Sequence, residues 1–104
     1  DELLAVLGVI ARRIRAEHPR VQSVRLFGSV ARGEQVGTSD VDILIVIRSN
    51  EPGDPLADLQ TFYRYFDLPI SVDVLVYTED HVARRLQSGD QLFSRMWEES
   101  RVLC

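Results

Sequence analysis

The chain has 104 residues, of which 45% are hydrophobic and 27% charged, without a repeat or a low-complexity tract. That length suits one domain, residues 1–104, with a single modest core, and the composition excludes a disordered or fibrous protein. Sixteen acids stand against twelve basic residues, all arginine, for a formal charge of −4; an acidic domain neutralises phosphates poorly, so no direct nucleic-acid partner is expected.

In chain order, Glu2 to Glu17 reads as a helix, with Leu3, Leu7, Ile10 and Ile14 at helical spacing. His18-Pro19 ends it, because a residue before proline avoids the helical region. Val21 to Phe27 reads as a strand. Ser29 to Arg32 has room for one helical turn before Gly33 and Gly37. Val41 to Ile47 is β-branched and apolar on both faces, which predicts a central strand. Ser49 to Asp54 is a loop, Asp54 an N-cap and Pro55 the first residue of a helix. Leu56, Leu59, Tyr63 and Phe66 carry that helix's apolar stripe towards Pro69.

Ile70 to Tyr77 predicts a third strand, interrupted by Asp73. Thr78, Glu79 and Asp80 suit a helix N-terminus, and another helix starts near Asp90 with Leu92, Phe93 and Met96 facing inward. Arg101 to Cys104 reads as a short strand or a frayed tail. The expected fold is α/β (α+β): a small mixed sheet of three to four strands, with the helices packed on one face. His18 and His81 read as surface residues near helix ends rather than ligands. No run approaches the ~20 apolar residues of a membrane span, and no leader pattern precedes the domain. The chain begins at Asp1, as a processed or trimmed chain would. The lone Cys104 excludes an internal disulfide and a cysteine-built metal site, so a cytoplasmic location is the default expectation.

One stretch breaks the ordinary pattern. "FGSVARGEQVGTSDVDILIVI", Phe27 to Ile47, sets a Gly-Ser pair ten residues before Asp-Val-Asp at the mouth of an apolar strand. Buried carboxylates are costly unless paired or metal-bound. Side chains two apart on a strand share a side, so Asp40 and Asp42 can aim at one spot, about 7 Å apart at their α-carbons. Asp73, in "ISVDVLVY", has no structural use in mid-strand, and three carboxylates converge if the two strands are neighbours. Hard cations such as Mg²⁺ would relieve their repulsion. Gly28 allows close backbone approach, and amides of a following helical turn can bind phosphate oxygens. Each element alone has an ordinary explanation: a solvated strand end for Asp-x-Asp, a turn for Gly-Ser, an edge-strand gatekeeper for Asp73, a surface arginine for Arg32.

Taken in order, "GSVARGEQVGTSDVDILIVI" resembles the signature of the minimal nucleotidyltransferases of the DNA polymerase beta superfamily. It has Gly-Ser, ten residues, Asp-x-Asp and then a hydrophobic strand. The resemblance implies that Asp40 and Asp42 hold two Mg²⁺ ions, for which Mn²⁺ can substitute. It implies that Asp73 shares one ion and positions or deprotonates the attacking hydroxyl. It also implies that Gly28 and Ser29 grip the triphosphate, with Arg32 on a phosphate.

The implied reaction is transfer of a nucleoside monophosphate, AMP from ATP by default, to a hydroxyl. At this length the resemblance implies an acceptor site completed by a second protein. In this family that partner is commonly an HEPN-domain toxin, with the nucleotidyltransferase as antitoxin modifying a tyrosine and able to form an oligomer with it. Two alternatives stay open: a binding-only antitoxin that blocks its partner sterically, and a small-molecule, aminoglycoside-like nucleotidyltransferase. Phe93, Met96 and Trp97 either complete the core or face the partner.

Overall fold

The computed structural model describes residues 2–27, 41–50 and 53–104. Four helices and four strands follow in the order α1 (Glu2–Glu17), β1 (Val21–Phe27), β2 (Val41–Ile47), α2 (Pro55–Tyr63), β3 (Val72–Thr78), α3 (Glu79–Gln87), α4 (Gln91–Glu99) and β4 (Arg101–Val102). The sheet order is β3-β2-β1-β4. β2 runs parallel to β3 and antiparallel to β1, and β4 closes the other side antiparallel to β1. The sheet is therefore mixed, and β2 is internal, as its apolar sequence predicts.

The helices cover both faces of the sheet, not one. The reason lies in β2: Ile43, Ile45 and Ile47 enter one buried cluster, and Leu44 and Val46 enter another. A strand apolar on alternate sides needs a layer on each. The first layer holds α1, through Leu7, Ala11 and Ile14, and the α2 region, through Phe62 and Phe66. Val82 of α3 and Phe93 of α4 anchor the second layer.

Local chemistry sets the ends of the later helices. Asp54 caps α2 by accepting from the Leu56 N–H, with Pro55 at the start. Thr78 caps α3 through the His81 N–H, and Asp90 caps α4 through the Phe93 N–H. Each cap satisfies a backbone donor that a helix start leaves open. The second helix stops at Tyr63, earlier than its stripe suggests, although Phe66 beyond it is still buried. The third strand starts at Val72 rather than Ile70. On α4 only Phe93 is buried; Leu92 and Met96 are exposed, against expectation, and Trp97 is half-buried. The chain end is tied rather than frayed, since the Leu103 N–H donates to the Val24 carbonyl.

The two histidines carry more structure than surface residues do. His18 is half-buried, hydrogen-bonded to the Tyr65 hydroxyl at 2.9 Å and set edge-on to Phe62. His81 stacks on Tyr77 with ring centroids 4.2 Å apart.

A bidentate ion pair joins the turn after α1 to α2: Arg20 donates to both Asp58 oxygens at 2.9 and 3.0 Å. Gly53 lies against it, and a β-carbon there would collide with the Arg20 Nη2. Gly53→Ala should therefore displace the guanidinium and cost about 1 kcal/mol, the upper range for a partly solvated pair. Asp58→Asn should cost a similar amount. Urea melts of the double variant should show far less than the sum, because both changes remove one interaction.

Candidate functional site

The sheet brings two of the expected residues together. Asp42, second in β2, is the register partner of Asp73, second in β3. Register partners on neighbouring strands lie about 4.8 Å apart and project to the same face. That face is the one carrying Leu44 and Val46, which α3 and α4 cover further along. Asp42 is half-buried and Asp73 exposed, at the ends of the strands where that cover stops. Phe27, the last residue of β1, is the register partner of Asp42 on its other side. The chain thus leaves β1 beside the carboxylates. Asp40, Gly28, Ser29 and Arg32, also expected at the site, lie outside the described residues.

Two carboxylates one strand apart repel each other, and a cation between them relieves the repulsion. Their oxygens are hard donors on one face, which fits Mg²⁺ or Mn²⁺ and fits zinc-thiolate chemistry not at all. Among the described residues, no group of three or more His, Cys, Asp or Glu side chains converges on one point.

One residue on this face escaped sequence reasoning. Arg25 lies two positions before Phe27, and so on the same side of β1. Its guanidinium sits over the Trp97 ring at 3.8 Å and donates to the Ser100 Oγ at 2.8 Å. Its Nε is buried without a hydrogen-bond partner among the described residues, and burial pushes the guanidinium's pKa down. In sequence Arg25 is one strand arginine among twelve basic residues, with no motif to single it out. Its platform exists only because α4 returns across β1. Trp97 thereby serves the cation rather than forming a free apolar patch.

A small mixed sheet, helices on both faces and paired carboxylates at one end of neighbouring parallel strands define a class of domain suited to metal-assisted phosphoryl chemistry. The sequence model of the nucleotidyltransferase domain matches residues 7–104, and the chain belongs to that family. Among solved structures, it resembles a candidate nucleotidyltransferase from Sulfolobus solfataricus, with a TM-score of 0.65, 23% identity, and coverage of 97% of this chain and 78% of that one. It also resembles a chain of a toxin–antitoxin complex solved with AMP-PNP, with a TM-score of 0.55, 21% identity, and coverage of 95% of this chain and 72% of the other. At these identities both likenesses concern the fold. No curated protein matches the sequence.

Proposed function

We propose that this nucleotidyltransferase moves AMP from ATP to a hydroxyl of a partner protein, as the antitoxin of an HEPN-type toxin–antitoxin pair. The observation that carries the reading is the register of Asp42 with Asp73 on one sheet face, within a fold of this family. The fold's likeness to a chain of a toxin–antitoxin complex solved with AMP-PNP supports a toxin as partner and ATP as donor. In this reading Asp40 and Asp42 hold the nucleotide through divalent metal, while Gly28, Ser29 and Arg32 grip the phosphates. Asp73 orients the acceptor hydroxyl and takes its proton as it attacks the α-phosphorus, and pyrophosphate leaves. Two Mg²⁺ ions, when bound, would lower the hydroxyl's pKa and neutralise the leaving charge.

The direct test incubates the protein with labelled ATP, Mg²⁺ and an HEPN-domain protein as the proposed partner, followed by intact mass of both. One AMP added to the partner is expected. An unmodified partner at full ATP occupancy contradicts the transfer.

Ligand binding gives an independent check. Mg²⁺ or Mn²⁺ with ATP should raise the melting temperature, because binding to the folded state alone stabilises it by about 2.7 kcal/mol at a hundredfold excess over Kd. Asp42→Asn should remove most of that rise. A wild-type melt indifferent to millimolar Mn²⁺ and ATP together would mean that the site does not work.

A further inference from the structure

Among the described residues, the fold leaves one long strand edge open. β3 ends the sheet order, with seven residues and no neighbour on its outer side among the described residues. At the opposite edge, β4 has only two residues. The Val41 N–H bonds to the Ser71 carbonyl, so Ser71, Asp73, Leu75 and Tyr77 turn their backbone groups towards β2. By alternation Val72, Val74 and Val76 turn theirs outward. An unpaired row of this kind is a template for another strand.

The helix beside this edge shapes what can enter. α2 packs chiefly against β3, and Leu56, Leu59 and Tyr63 form a stripe at helical spacing along it. Leu59 joins the core margin, whereas Leu56 and Tyr63 are 63% and 55% exposed. An open groove of about 430 Å³ runs between that stripe and Val72, Asp73 and Val74. It continues as a second hollow of about 330 Å³ past Leu75 and Val76, where Leu75 is 46% exposed. Asp73 is the sole charged residue lining either part among the described residues.

We infer that this groove receives an extended segment of the acceptor protein, added to β3 as a fifth strand, with its hydroxyl-bearing residue beside Asp73. The inference rests on the reading that the acceptor is a protein. Asp73 makes the groove continuous with the carboxylate site. A residue added opposite Asp73 shares its face, at about 4.5–5.5 Å between α-carbons. Alternate residues of the same segment face Leu56, Leu59 and Tyr63 and are apolar.

The test uses the HEPN-domain protein as acceptor and separates the groove from the reaction. Leu56→Asp combined with Tyr63→Asp, and separately Leu75→Arg, should raise KM for the acceptor at least tenfold. The ATP-dependent melting shift should be unchanged, since none of these residues holds nucleotide. If the aspartates lower the melting temperature, Leu56→Gln and Tyr63→Gln replace them. Added acceptor should slow amide hydrogen exchange at Val72, Val74 and Val76. Normal KM in the groove variants, or exchange at these valines unaffected by bound acceptor, overturns the strand addition while leaving AMP transfer intact. A wild-type protein that adds no AMP overturns the transfer, and the segment's placement with it.

Discussion

Asp73→Asn should leave the complex with the partner intact and lower AMP transfer by at least about a hundredfold. A positioned general base contributes about 10²–10⁴ in rate, and its loss falls on the transition state rather than on ground-state binding. Asp73 is the informative position because Asp40 and Asp42 are proposed to hold the nucleotide's metal, so changing either mixes binding with chemistry. Asparagine keeps the volume and removes the charge at an exposed position, so folding should be little affected. The expected pattern is normal association by size-exclusion chromatography, a normal ATP-dependent melting shift and no adduct by intact mass. In cells, the variant should fail to protect when present in less than stoichiometric amounts. Full protection without any adduct would instead identify a protein that acts by covering its partner.

The largest stability loss should come from Phe62→Ala. Phe62 has no solvent exposure, belongs to the larger apolar cluster and meets His18 edge-on with ring centroids 5.1 Å apart. Truncating a buried phenylalanine costs about 3–5 kcal/mol, through lost transfer energy and the cavity left behind. Domains of this size hold about 5–15 kcal/mol in all, so the variant should melt at least about 12 °C lower. Tyr63→Ala, one residue on, should change stability by about 0.5 kcal/mol or less, because its side chain is 55% exposed. Thermal melts of the two variants side by side check both statements. A small loss in Phe62→Ala would mean that the α2 layer does not anchor the core.

Much of this architecture was legible beforehand because its causes are local. The first helix has its predicted bounds, Glu2–Glu17, because a long amphipathic run and a following His-Pro leave little choice. β2 has its predicted bounds because a run of apolar, mostly β-branched residues broken only by Asp42 suits little else. Asp54 caps the helix it was expected to cap, and α4 starts beside Asp90 as expected, since a side-chain acceptor two or three residues before a free N–H is a short-range event. Legibility failed where a residue's fate depended on distant chain. Helices on one face was the wrong expectation, because periodicity tells which side of a helix is buried and not which side of the sheet receives it. Leu92 and Met96 looked like core and are exposed, because the inward direction of α4 is set by the position of Phe27 and Leu44 across the sheet.

The sequence by itself determined the family, through ordered Gly-Ser, Asp-x-Asp and a later lone acid, and it determined the central strand. Both are written in types and spacings of residues close in the chain. Only the tertiary structure decided that Asp42 and Asp73, thirty-one positions apart, are register partners, because the parallel alignment of β2 and β3 depends on how the intervening α2 packs. It also decided that Arg25 lies over Trp97, and that β3 and α2 leave an apolar groove ending at a carboxylate. These are meetings between elements. The physical reason is that a side chain's partners across a sheet are fixed by register and layer, which no single segment encodes.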